Sequence, residues 1–268
     1  MNGVRTELTL GPIRAIRRAI ILWAVFVGGL VAMTVAVWPA FRDSSAVNDI
    51  MNNMPSGLVQ AFGLEGFGTP AGFLRGNLYD VFIPLLITGA AVGFANSLTS
   101  GEEDAGRLEV VLSQPVTRQS VFAGRVIAVL VGVVLVVIAT TIVQFASDAA
   151  VNLQIGADKL LATLVLSALL AMFHGGLALA IAGVRARPSV VLGVGLSVAM
   201  AGALMAALFP LSDALKPLAH ISPWDWAFGG DPLVSGGEPW RFLALGLPAL
   251  AMAAFGIWAF GRRDVSAA

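Results

Sequence analysis

Six stretches of this chain, each about twenty residues or longer, carry almost no charge, and that alone restricts it to one fold class. They fall at about 19–38, 79–98, 124–147, 160–184, 189–210 and 241–260. A hydrocarbon core of about 30 Å takes about 20 helical residues to cross. Inside it no water is available to backbone N–H and C=O groups, so such runs are stable only as helices that satisfy their own backbone. Composition agrees, with 57% hydrophobic and 12% charged residues against about 25% charged in soluble domains; the mean hydropathy is +0.86. The sequence predicts an all-α membrane protein with six transmembrane helices in a single domain over residues 1–268.

Lys and Arg placement sets the expected orientation. With the N-terminus cytoplasmic, that side holds eleven of the sixteen basic residues, among them Arg5, Arg14, Arg17, Arg18, Arg107, Arg118, Arg125, Arg185, Arg187, Arg262 and Arg263. Arg42, Arg75, Lys159, Lys216 and Arg241 remain outside. Both termini are therefore expected in the cytoplasm of a bacterial-type inner membrane. The sequence Trp38-Pro39-Ala40-Phe41 after the first run lacks a small-x-small cleavage pattern, so this run reads as a retained helix. The absence of cysteine excludes disulfides and thiol chemistry, and the absence of a Walker A pattern excludes ATP binding through a P-loop of this chain's own. No residue stands out as catalytic, cofactor-binding or metal-ligating, and nothing points to nucleic acid.

Residues 5–18 mix Leu8, Leu10, Ile13 and Ile16 with three arginines, which suits either an interfacial helix or a simple positive anchor. Between the first two spans, Val47, Ile50, Met51, Met54 and Leu58 recur at helical spacing, as expected of an amphipathic or re-entrant outside segment. Trp224, Trp226 and Trp240 cluster before the sixth span, where a tryptophan belt at the headgroups is expected. Small residues offer close helix approach at Gly89 and Gly93 in the second span and at Gly195, Ala199, Gly202 and Ala206 in the fifth. Both ordinary packing within the chain and a dimer or pathway seam fit that pattern.

The loop over residues 100–118 is the most strongly charged part of the chain. Ser100 followed by Glu103 fits a capping box, with acids at the positive end of a helix. Leu108, Val111 and Leu112 form one apolar stripe, Gln114-Pro115 ends the helix, and Thr117 can cap the next one. A short tethered helix of this kind serves equally as a lever for a partner or as a connector resting on the membrane surface.

The stretch EEDAGRLEVVLSQPVTR resembles the Glu-Glu-x-x-Gly-Thr-x-Glu-x-Leu-Leu-x-x-Pro-Val-x-Arg pattern of ABC-2 type permeases, the membrane subunits of a class of ABC transporters. The matching positions are Glu102, Glu103, Gly106, Glu109, Leu112, Pro115, Val116 and Arg118, with Arg107 standing where the family usually has threonine. The fragments GFGTPAGFL, SPWDWAFGGDPLVSG and FGRRDV fit the same family in the expected order. The resemblance implies a coupling helix between spans two and three, seated in an ATPase subunit. Glu102, Glu103, Arg107, Leu108 and Leu112 would make that contact, with Arg185 and Arg187 of the second cytoplasmic loop as lesser partners. It further implies a half-transporter that pairs with an identical or related permease half and two ATPase subunits. ATP and Mg would be held by the ATPase, membrane lipids would surround the chain, and export is the direction the resemblance implies; the largely aliphatic spans with few fixed charges suit a lipophilic or amphipathic cargo such as a drug, lipid or peptide, and equally suit contact with lipid.

Two rivals come from the same residues. Glu102-Glu103-x-x-x-Arg107 also satisfies the Glu-Glu-x-x-x-Arg string of CAAX-processing-type proteases, but neither His174 nor His220 has the sequence neighbours that chemistry requires. A secondary transporter or channel would need ionisable groups inside its spans, and only His174 lies deep in one; a neutral histidine bonded to a neighbouring helix is its plainer role. The basic bias makes a topological prediction: in the otherwise cysteine-free chain, Glu103→Cys stays unlabelled by a membrane-impermeant thiol reagent in intact cells and labels only after the membrane is opened.

Overall fold

The computed structural model describes residues 2–44, 49, 53, 66, 68–184 and 187–263. Among these the regular structure is helical, and six helices are long and apolar enough to cross a membrane. Helix α1 (Asn2–Arg42) comes first. A short α2 (Pro70–Leu74) and a π-helical turn (Arg75–Tyr79) then lead into α3 (Phe82–Leu98). Two short helices, α4 (Ser100–Asp104) and α5 (Arg107–Leu112), precede α6 (Arg118–Val151), α7 (Ala157–Val184) and α8 (Pro188–Leu208). After a 3-10 turn (Phe209–Leu211) come α9 (Lys216–Ala219), α10 (Pro223–Phe228), α11 (Pro232–Ser235) and the last span, α12 (Pro239–Arg262). The membrane-length helices α1, α3, α6, α7, α8 and α12 match the six uncharged runs. The segment expected to be amphipathic around 47–58 lies largely outside the described residues, as does Arg185.

Local sequence explains where the helices begin. Proline is the first residue of α2, α8, α10, α11 and α12, where its missing N–H costs no intrahelical bond and its fixed φ suits the first turn. Thr117 caps α6 as expected, its hydroxyl accepting from the Ser120 N–H at 3.2 Å. The N-terminal residues differ from the interfacial helix considered above. They continue α1 without a break and run alongside α6, with the Leu8 carbonyl against Gly124, Ile16 against Gly132 and Val143 against Gly28. A side chain at Gly124 would collide with that carbonyl, so glycine there is what lets the two backbones meet.

Helices α3 and α7 are the most enclosed of the six. Helix α7 packs against α12 along much of its length and also touches α3, α6, α8, α10 and α11, while α1 lies mainly on α6. The most extensive contact is between α7 and α12: a Cβ on Gly183 would sit 2.5 Å from the Gly256 carbonyl oxygen, and one on Gly176 would sit 2.8 Å from that of Ala249. Three of the small residues of the fifth span pack within the chain. Gly195 packs against Val92 of α3, and Ala199 is fully buried; Gly202 lies under Ser222 and Trp224, its carbonyl accepting from the Ser222 hydroxyl at 2.7 Å. Ala206 is only partly buried. Gly89 faces Trp23, and a Cβ at Gly93 would enter open space.

At the end of the bundle away from the acidic loop, α2 docks on α1 through Trp38, Phe41 and Phe73, whose ring centroids lie 4.9–6.1 Å apart. The Tyr79 hydroxyl donates to Gln144 Oε1 at 2.9 Å and ties the π-helical turn to α6. Trp224 departs from the expected belt. It is 2% exposed, its indole N–H donates to the Asp80 carbonyl at 3.1 Å, and His174 of α7 packs edge-on against its ring. Trp240 is exposed, its indole N–H donating to Glu238 Oε2 at 3.2 Å. The packing predicts that Gly183→Val, which must push a backbone carbonyl aside, destabilises the protein by roughly 1–3 kcal/mol or more, whereas Gly29→Val on the open face of α1 is tolerated. Thermal unfolding midpoints of the two variants in detergent check this.

Candidate functional site at the acidic loop

Helix α3 stops at Leu98 because Thr99 adopts φ −118° and ψ −94°, outside helical space, while its hydroxyl donates back to the Ala95 carbonyl at 2.5 Å. The N–H groups of Glu102 and Glu103 both reach the Thr99 carbonyl at 3.0 Å, which starts α4 at once. The expected capping box does not form. Ser100 lies inside the first turn with its hydroxyl buried and unpartnered, and the Glu103 carboxylate turns away toward Arg263. The single helix expected through Leu112 is also broken, because Gly106 takes a left-handed φ of 69° between α4 and α5. Glycine has no Cβ to penalise that conformation.

Each glutamate of the pair is held by an arginine from a different part of the bundle. Glu102 accepts from Arg125 of α6, at 2.5 Å from Nη2 and 3.1 Å from Nε. The same guanidinium donates to the Leu98 carbonyl at 2.5 Å and the Val121 carbonyl at 3.1 Å, and Arg125 is only 3% exposed. A buried guanidinium is tolerable only when its N–H groups are matched in this way. Glu103 pairs with Arg263, just past α12, which also donates to the Ala182 carbonyl of α7 at 3.1 Å. Arg118 in turn donates to the Arg263 carbonyl. The two ion pairs thus join the loop to α6, α7 and α12, and covalent continuity joins it to α3.

The apolar stripe faces inward. Leu108 is 2% exposed and lines a small internal gap together with Thr99, Phe122, Ala182 and Phe260, where the two phenylalanine rings stack at 4.9 Å. Val111 and Leu112 are half-buried against the same core. This corrects the expectation that Leu108 offers a face to a partner: it anchors the loop to its own bundle. Glu102 and Glu103 are likewise engaged inside the chain and only partly exposed. The outward surface consists of Asp104, Arg107, Glu109 and Val110, the valine 68% exposed. Arg187 is exposed, and its carbonyl accepts from Val190 at 2.9 Å to start α8.

Sequence reading missed the two arginines that hold the loop. Arg125 carried a detectable signal, since a cation within an apolar helix must find partners; Arg263 lay in the terminal FGRRDV fragment with nothing in its spacing to name Glu103 as its mate. The protease reading loses its geometry as well, because both glutamates are committed to arginines and His174 bonds the Leu170 carbonyl at 2.9 Å beside Trp224. Removing one partner of a buried pair typically costs about 3–5 kcal/mol, whereas removing both is close to neutral. Arg125→Met is therefore expected to lower stability by about 3 kcal/mol, the low end because Glu102 retains some solvent. The double variant Arg125→Met/Glu102→Gln should recover much of that loss, read as unfolding midpoints in detergent.

The order of these parts, six spans with a clasped acidic loop between the second and third, agrees with the family comparison. The family model described as ABC-2 family transporter protein matches residues 13–265. A search of curated proteins found no match. With nearly its whole length matched, the chain belongs to the ABC-2 family of transporter proteins and is a multi-pass membrane subunit of an ABC transporter.

Proposed function

We propose that this chain, as one membrane domain over its whole length, is the permease half of an ATP-driven exporter in a bacterial-type cytoplasmic membrane, with both termini and the acidic loop inside. A separate ATPase binds ATP and Mg and seats the outward surface of the loop in a cleft. Two ATPase copies and a second permease half, identical or related, complete the unit. The cargo is lipophilic or amphipathic. Apolar side chains such as Leu22, Val25, Phe26 and Met33 on α1 and Leu243, Leu247 and Leu250 on α12 are exposed and suit contact with lipid.

The observation that carries the reading is the mechanical arrangement of the loop. Arg125 and Arg263 fasten its inner face to the ends of several spans, while Arg107 and Val110 stand on its outer face. A push on that outer face is delivered to α3 and α6 through bonds that are expensive to break, instead of being absorbed by a slack connector. The contact surface is accordingly narrower than the sequence pattern implies, centring on Arg107, Val110 and the edge of Leu112, with Arg187 beside it.

The test separates outer from inner residues. Val110→Asp is exposed in the isolated chain and should change its stability by no more than about 0.5 kcal/mol, yet it places an unpaired charge in a partner's cleft. It should insert normally and retain the co-purified ATPase at least tenfold less well than wild type. Leu108→Asp should instead damage the permease itself and lower its unfolding midpoint. Wild-type ATPase retention and transport by Val110→Asp would remove the outer face from the contact.

A further inference from the structure

At the end of the bundle away from the acidic loop, a cavity of about 450 Å³ opens between the end of α8, the start of α3 and α10. Its volume suits a small organic ligand. One wall is aliphatic, from Ala203, Ala206, Leu208 and Leu211, and Phe228 and Trp224 add aromatic surface. The Trp224 N–H is already used by the Asp80 carbonyl, so this nearly buried residue borders the cavity without a free donor.

The opposite rim is acidic. Arg75 lies between two carboxylates, with Nη1 2.8 Å from Asp231 and Nε 3.7 Å from Asp80. Asp225 lines the cavity from α10 with His220 Nδ1 at 2.9 Å. Two carboxylates, Asp80 and Asp225, thus line the cavity against one guanidinium, Arg75, which leaves a negative excess when His220 is neutral. Negative charge, aromatic side chains and an aliphatic wall around one cavity together complement a cation with a large apolar body.

The geometry points to this groove as a binding site for a lipophilic cation, an amine or quaternary onium carrying bulky apolar groups. That such a ligand is cargo rests on the transporter reading; that it binds does not. The carboxylates of Asp80 and Asp225 set the sign of the charge accepted, and the α8 wall takes the apolar body.

Tetraphenylphosphonium and tetraphenylborate have the same shape and opposite charge, which makes them suitable probes. Binding is measured by equilibrium dialysis on the purified permease in nanodiscs of zwitterionic lipid, with protein-free discs as background. Saturable phosphonium binding is expected, at least tenfold tighter than that of the borate. Asp225→Asn and Asp80→Asn should each weaken it several-fold, and Ala206→Phe, which fills the groove, should abolish it. Equal uptake of both ions would mark a plain lipid-facing surface and overturn the site, as would phosphonium binding untouched by Ala206→Phe. Absent saturable binding by the wild type would also overturn it, and a disulfide between copies through Leu211→Cys would then assign the groove to a second chain. The assay needs no ATPase: loss of binding with ATPase retention intact defeats the groove alone, and binding without ATPase retention defeats the transporter reading alone.

Discussion

The guanidinium of Arg125 is the interaction on which the loop end of the molecule depends. A charge removed from water in this way carries a penalty of several kcal/mol unless every N–H finds an acceptor. Here the acceptors are the Leu98 carbonyl at the end of α3, the Val121 carbonyl one turn back on α6 and the Glu102 carboxylate of α4. Three elements that the chain could otherwise arrange independently are thereby fixed relative to one cation. The burial of Leu108 is a consequence, because it lines one small gap with Arg125 and Thr99 as well as Phe122 and Phe260. Arg263 extends the block to α7 and α12 through Ala182 and Glu103.

Elsewhere in the bundle a different constraint rules. Lipid tails are as apolar as leucine, so helices gain nothing by hiding apolar surface from them; close packing and interhelical hydrogen bonds must supply the association. The α7–α12 contact meets that need with backbone against backbone at Gly176, Gly183 and Gly256, and the α1–α6 contact meets it at Gly28, Gly124 and Gly132. Tyr79 with Gln144 and Ser222 with the Gly202 carbonyl add hydrogen bonds between segments. The polar links sit where short or irregular segments meet the spans, where neighbouring backbone would otherwise lack geometric definition.

What the sequence disclosed follows the same division. The six spans were legible because the penalty for charge in hydrocarbon acts on each residue independently, so counting suffices. The stop before Pro115 and the cap at Thr117 were legible because they depend on neighbours in the chain. Which way the loop's stripe faces was not legible: Leu108 at i and Leu112 at i+4 define a face, but only Phe122 and Phe260, from helices far apart in sequence, decide what covers it. The capping box failed for a related reason, since a local bond from Glu103 to the helix start lost to a charged partner 160 residues away. The partners of the small residues were not legible either, because Gly202 and Gly256 look alike in sequence and only the fold shows that one meets Ser222 and the other Leu179.

The two ends of α3 are held by links of unequal strength. Its loop end is tied to α6 through Arg125, and the turn before its other end gives the Asp80 carbonyl to Trp224 of α10. Shifting the loop relative to α3 and α6 would strand a buried cation, at a cost of several kcal/mol. At the other end the neutral Trp224 hydrogen bond is worth about 1 kcal/mol net, and the Arg75–Asp231 ion pair beside it is partly open to solvent. The loop end of α3 is therefore the more firmly fastened, with α3, α4 and α6 forming one block there, while the far end borders the cavity between α10 and the end of α8. In this chain the difference between a buried charge with its acceptors and a set of partly exposed polar links determines which end of α3 is held more stiffly.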